Sequence, residues 1–177
     1  MTAPVIVPYR EAYRQQAIDL VLHIQNVEAG IALSLEEQPD LLAVEQAYVQ
    51  PGGGFWIALD ERGDVAGTIG LQVKEGHGIM KKFFVREDAR GRERGVSAGL
   101  YDALLRHARG TGLRSIILDT PSVAERSHAF YRRSGFRQVT AAELPFDYHF
   151  PNRDSLLFQL DLPAGEQPAS SGTDPRP

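Results

Sequence analysis

Apolar positions recur along this chain with two different periods, and the switches between them lay out its elements. Val5–Val7 is a short apolar run that predicts a strand. Ala17, Leu20, Val21, Ile24, Val27 and Ile31 then follow at helical spacing. Gln38, Pro39 and Asp40 break that pattern, and 41–49 predicts a second helix, stopped by Pro51 and three glycines. FWIAL (55–59) reads as a strand and DERGD (60–64) as a hairpin turn. Val65, Gly67, Ile69, Leu71 and Val73 alternate with smaller or polar residues, which is the period of a strand. IMKKFFV (79–85) predicts the next strand. Val96, Leu100, Leu104 and Ala108 recur every fourth residue, joined by Tyr101 and Leu105. They predict an amphipathic helix closed by Gly110 and Gly112. SIILDT (115–120) is dense enough to be a strand covered on both faces. A helix over 124–134 ends at Gly135, a strand starts at 136–139, and Leu156, Phe158, Leu160 and Leu162 alternate in the last one.

That order is strand, two helices, three strands, helix, strand, helix, two strands: a mixed α/β chain with seven strands. The three consecutive strands over 55–85 should be antiparallel, being joined by tight turns. The passage from Ile79 to Asp119 should set two strands parallel through a right-handed crossover. Length supports one domain over 1–162. The tail 163–177 carries no large apolar residue and is expected to be disordered.

Charge changes the picture at one place. Residues 81–94 hold six basic side chains against three acidic ones, a local +3 in a chain of net −4, so the remainder carries −7. An acidic protein with a basic island points to a local anion site rather than to a nucleic-acid partner. There is no cysteine, which removes disulfides, thiolate nucleophiles and cysteine zinc sites, and the five histidines show no metal spacing. The first ten residues do not form a secretory signal, and the longest apolar run, 55–59, is too short to span a bilayer. A cytoplasmic location without membrane contact is the expectation.

The island is ARGRERGVS, between the strand ending at Val85 and the helix starting near Val96. The first amides of a helix have no intrahelical partner and carry the positive end of its dipole. Glycines let a ligand approach the backbone, and arginines suit phosphate oxygens. Arg90, Gly91, Arg92, Arg94, Gly95, Val96 and Ser97 therefore form a candidate phosphate seat. The spacing is neither that of a P-loop nor Gly-x-Gly-x-x-Gly.

One strand and one helix later comes SHAFYRRSGF (127–136), with Tyr131 on a short helix, Gly135 ending it and Phe136 opening a strand. Together the two stretches make the chain, over roughly 5–162, similar to the GNAT family of N-acetyltransferases. The family's motif is Gln/Arg-x-x-Gly-x-Gly/Ala, and Arg92-Glu93-Arg94-Gly95-Val96-Ser97 matches it with serine in the last place. The resemblance implies a central, mostly antiparallel twisted sheet of about seven strands, helices on both faces and a splayed central strand pair. It implies acetyl-CoA as cosubstrate, its pyrophosphate on the amides of 90–97 and its pantetheine arm along the strand ending at Phe84 and Val85. One of those two backbone N–H groups would hold the developing oxyanion. Acetyl would pass directly to a primary amine of a small molecule or peptide, since no cysteine is present as a carrier.

Tyr131 is then the candidate general acid, lying near the CoA sulfur in the family. A thiol titrates at about 8.5 and a tyrosine at about 10, so proton transfer to the departing thiolate costs little. The alternative is a packed core tyrosine beside Phe130. The base is open among Glu28, His77, Asp119, His128 and a water chain. The glutamate that many family members carry on the strand is absent at Gly78, Ile79 and Met80, and Ala124 stands where an asparagine is frequent. The loop PFDYHFPNRD (145–154) either clamps a cationic amine with Asp147 and Asp154 or covers the open sheet with Phe146, Tyr148 and Phe150. QPDL (38–41) marks a less usual branch of the family. Homodimers are common among its members, though no residue here marks one. The competing reading is a non-catalytic CoA-binding sensor or interaction domain, and a third is an unrelated phosphate-binding α/β domain.

Overall fold

The computed structural model describes residues 2–149 and 154–164. The tail expected to be disordered lies outside them from 165 onward, as does Phe150. Seven strands form one sheet in the order β1-β2-β3-β4-β5-β7-β6. They are β1 (Val5–Pro8), β2 (Gly54–Leu59), β3 (Val65–Lys74), β4 (His77–Val85), β5 (Ser115–Pro121), β6 (Arg137–Val139) and β7 (Ser155–Asp161). The run β2-β3-β4 is antiparallel as expected, and β4 and β5 are the parallel pair. Asp60 builds the first hairpin by accepting the amides of Arg62 and Asp64 on one carboxylate oxygen.

Helices cover both faces. On one, α2 (Val96–Gly110) and α3 (Glu125–Arg133) bury Leu100, Leu104 and Tyr131 against Ile69, Leu71, Ile116 and Phe158. On the other, α1 (Arg14–Leu22) lays Ala17 and Leu20 over Phe55, Ile57 and Val65. Gly70 makes the second packing possible, because a Cβ there would lie 2.6 Å from the Tyr48 ring. Tyr48 thus sits fully buried, edge-on to Phe55 at 5.0 Å.

Two helical expectations are corrected. The first helix does not run to Ile31. It passes into a π-helical turn, His23–Glu28, and then stops, with Gly30 and Ala32 at positive φ. The wider turn rotates the face, so Gln25 is buried while Val27 is 70% exposed. The second helix is not continuous either. Pro39 opens a 3-10 turn, Pro39–Leu42, Ala43 leaves helical space (φ −142°, ψ 54°), and a π-helical turn, Glu45–Val49, follows. The interruption lets the Tyr48 hydroxyl reach back to Asp40 at 2.5 Å.

The feature that positions the site is the failure of β4 and β5 to stay paired. Their ladder consists of Gly78↔Ile116 and Ile79↔Ile117. Beyond that point β4 follows β3 as far as Val85, and β5 follows β7 as far as Pro121. A bulge in β4 adds to the divergence. Partners step from Gly70↔Lys81 to Thr68↔Phe84, leaving one extra residue on β4 and Lys82 at φ +54°. The Thr68 hydroxyl holds the bulge by donating to the Lys82 carbonyl at 2.7 Å.

Candidate active site

A cleft of about 1160 Å³ opens where the two strands part. One wall is β4 from Met80 to Val85. The other is Leu118–Pro121 with one face of α3, and the π-helical turn of the first helix closes the rim through Ile24, Gln25 and Glu28. At the mouth lies the glycine–arginine loop. Gly91 (φ 116°) and Gly95 (φ 68°) both sit in backbone space that glycine enters without strain. Gly95 is the N-cap of α2 and supplies no side-chain cap. The first intrahelical bond runs from the Gly99 amide to the Gly95 carbonyl, so the amides of 96–98 keep their donors for something else.

Of the residues expected to bind the cosubstrate, Phe84, Val85, Arg90, Gly91, Arg92, Gly95 and Ser97 line the cleft. Arg94 does not, and the Val96 side chain is buried in the core, so its contribution is confined to its amide. Arg90 is held in place, donating through Nε to the Val85 carbonyl at 2.8 Å and through Nη2 to Glu28 at 2.5 Å. Arg92 and Arg94 are exposed.

Tyr131 faces the cleft from α3 while only 7% exposed, within an aromatic cluster of Phe130, Phe136 and Phe158. The side chain is thus packed in the core and also borders the cleft. Burial, and then the nearby Asp119 carboxylate, push its phenol well above the usual tyrosine range. Full proton transfer from it is consequently costlier than from a free tyrosine.

The four side-chain candidates for the base separate clearly. Glu28 lines the rim but is paired to Arg90. His77 lies outside the cleft, at the end of β4 where the strands are still paired, against Ser115 Oγ at 2.7 Å and the Phe146 ring. His128 is a buried core residue bonded to the Pro121 carbonyl at 2.9 Å. Asp119 is in the cleft and accepts a hydrogen bond from the Tyr148 hydroxyl. Of the two ways considered for the loop before β7, the packing one is seen, and neither Asp147 nor Asp154 lines the cleft. Phe146 and Tyr148 pack on Ile117, Val139 and Leu157, and Tyr148 also reaches a cleft carboxylate.

Sequence reasoning missed Lys82. Its ammonium donates to Gln38 Oε1 at 2.7 Å and lies 3.5 Å from Asp40 Oδ2, with 12% of the side chain exposed. Burial, as the largest influence, holds its pKa below the usual lysine range. Two lysines inside the apolar strand IMKKFFV were the available signal, because a charge in a central strand needs a partner. Among the described residues no group of three or more His, Cys, Asp or Glu converges as metal ligands would, and no helix is long and apolar enough to cross a membrane.

Known proteins share this architecture. An acetyltransferase from Streptococcus agalactiae is 35% identical with a TM-score of 0.86, over 92% of this chain and all (100%) of that one. A phosphinothricin acetyltransferase from Sinorhizobium meliloti, solved in complex with AcCoA, shares the fold at 19% identity and a TM-score of 0.70, over 96% of this chain and 95% of its own. The N-acetylaspartate synthetase of Danio rerio is 27% identical over 68% of this chain and 44% of its own length. The chain spans about half the length of the curated relatives it matches. The family model for acetyltransferases of the GNAT type matches residues 19–136, which takes in the parted strands, the glycine–arginine loop and the tyrosine helix. With sequence, fold and cleft in agreement, this chain belongs to the acetyltransferase (GNAT) family.

Proposed function

We propose that the protein is an acetyl-CoA-dependent N-acetyltransferase that moves the acetyl group directly to a primary amine of a small molecule or peptide. The observation that carries this reading is the cleft itself. It has an uncapped helix N-terminus and two positive-φ glycines at its mouth, and a buried tyrosine and a carboxylate at its parted strands. The donor set suits the cosubstrate, since the free amides of 96–98 and the guanidinium of Arg92 match a pyrophosphate.

The backbone donor can be chosen between the two residues expected. The Arg86 amide donates across to Ala66 of β3, whereas the Val85 carbonyl turns the other way, toward Arg90. Alternation along the strand therefore directs the Val85 N–H into the cleft and that of Phe84 toward β3. Val85 is the oxyanion donor in this reading. In the transfer, the amine nitrogen bonds the acetyl carbon as the carbon–sulfur bond breaks, the amine gives up a proton, and the sulfur leaves as a thiolate that solvent protonates. Asp119 is placed to take the amine proton. Tyr131, held protonated by its surroundings, donates a hydrogen bond to the departing sulfur and so lowers its charge.

Calorimetric titration with acetyl-CoA, set beside 3′,5′-ADP and ATP, tests the seat. Micromolar binding, clearly tighter than that of either nucleotide, is the expected result, and equal binding of all three would sink the reading. A non-catalytic CoA-binding domain is the second reading, favoured by Ala124 and by the missing strand glutamate at Gly78, Ile79 and Met80. It requires binding without turnover of any amine.

A further inference from the structure

The transfer step gives no part to the QPD turn (38–40) or to the Lys82 side chain, yet both are tied to the bulge in β4. The bulge changes which way the strand faces. In an unbroken strand Met80, Lys82 and Phe84 would share one face. Instead Met80, Phe83 and Val85 pack in one cluster with residues of α2 and α3, while Phe84 packs on the first helical layer with Ile18, Val21 and Leu41. The one extra residue has inverted the phase of the strand from Phe83 onward. Without it, the Val85 N–H would turn toward β3 and join the ladder.

Lys82 bears the change, at φ +54°, a conformation unfavourable for a side chain and open to glycine. Three contacts keep it there. The Thr68 hydroxyl holds its carbonyl at 2.7 Å, and its ammonium donates to Gln38 Oε1 at 2.7 Å and pairs with Asp40 at 3.5 Å. Both acceptors are themselves fixed. Gln38 and Gln25 bond each other reciprocally, amide to amide, at 2.9 and 2.8 Å, and Asp40 accepts from the Tyr48 hydroxyl. Gln25, Gln38 and Tyr48 are all buried. A buried ion pair adds little stability over apolar packing, and its best-attested use is to fix a register. Here that register is the phase of β4.

Resting on the acetyltransferase reading and on Val85 as its oxyanion donor, we propose that Lys82 is a positioning residue. Clamped by Gln38 and Asp40, it holds the β4 bulge, and the bulge directs the Val85 N–H to the acetyl carbonyl. The ammonium acts through its own backbone rather than on the substrate.

The test uses the full chain saturated with acetyl-CoA that is isotope-labelled at the acetyl carbonyl, and reads that carbonyl by infrared difference spectroscopy. A fixed donor on the oxygen lowers its stretching frequency below that of free acetyl-CoA. Lys82→Ala should lose more than about half of that shift, while its acetyl-CoA affinity by calorimetry stays within about threefold, because the seat at the mouth is untouched. Lys82→Gly should keep most of the shift, because glycine enters φ +54° without a clamp. Should Lys82→Ala not fold, Thr68→Val releases the carbonyl anchor instead; a reduced shift is expected there, and an unchanged one overturns the proposal. Equal losses in the alanine and glycine variants would mean that the lysine acts by its charge, and would also overturn it. So would a full shift in the alanine variant, or bound acetyl-CoA with no shift in the unaltered protein. If acetyl-CoA itself does not bind, the failure belongs to the acetyltransferase reading beneath it.

Discussion

The two ends of the cleft are built from different materials. At the mouth the free donors are the backbone amides of 96–98, beside two glycines with φ of 116° and 68°. At the parted strands the working groups are side chains gathered from far apart: Gln25, Gln38 and Asp40 from the first helical layer, Lys82 and Asp119 from the two walls, Tyr148 from the last loop. The mouth leaves Arg92 and Arg94 exposed, whereas at the far end Lys82 and Asp119 each have a neighbour that orients them. A seat made of backbone recognises what is constant in a cosubstrate. A site made of oriented side chains is where discrimination among acceptors can arise.

That contrast can be broken by experiment. The largest effect is expected at the far end, where Tyr131→Phe should lower kcat about a hundredfold and change acetyl-CoA affinity far less. Steady-state and binding measurements on the same preparation check it, and an unchanged kcat would make Tyr131 a packing residue. Next is the mouth. Gly91→Val forces a side chain into backbone space that glycine enters freely, where its Cβ would meet the Glu93 carboxylate at 2.4 Å. Acetyl-CoA affinity should fall about tenfold by calorimetry, with kcat at saturation little altered. Arg92→Ala should cost only about threefold in affinity, being exposed, and should flatten the loss of binding between 50 and 500 mM salt.

The smallest effect lies outside the cleft. Burial, then Arg114, hold the His77 pKa below the ordinary histidine value. Around pH 6.5 and below, the unfolded chain then binds more protons at this residue than the folded one. Its contribution to stability is present above the unfolded value and declines as pH falls through it. Denaturant midpoints at pH 7.5 and 5.5 should differ less in His77→Gln than in the unaltered protein. An equal difference would show that His77 does not carry the change.

The same contrast explains what could be read from the sequence. All seven strands, the antiparallel trio and the parallel pair follow from apolar periods and turn residues, because each is set by neighbours in the chain. The glycine–arginine loop ahead of α2 was legible for the same reason. The π-helical turns were not, because one extra residue in a turn is invisible to a 3.6 period and is stabilised by tertiary contacts such as Tyr48 with Asp40. Lys82 was not, because its partners lie 44 and 42 positions away in sequence at Gln38 and Asp40. His77 and His128 looked like bases by residue type, and only their surroundings, a paired strand end and a core, set them apart from Asp119.

Because the β4–β5 ladder spans only two residue pairs, the sheet is mechanically two panels, β1 to β4 and β5 with β7 and β6. Directional bonds cross the seam at one end, and elsewhere the panels are held by shared apolar packing of Leu100 and Leu104 with Leu118, Phe158 and Tyr131. Packing of this kind has no preferred angle, so small rotations about the seam cost little, whereas a continuous ladder would resist them. The seam is therefore where the fewest directional bonds resist a change in the width of the cleft. A molecule that touches both walls stiffens the seam as it binds.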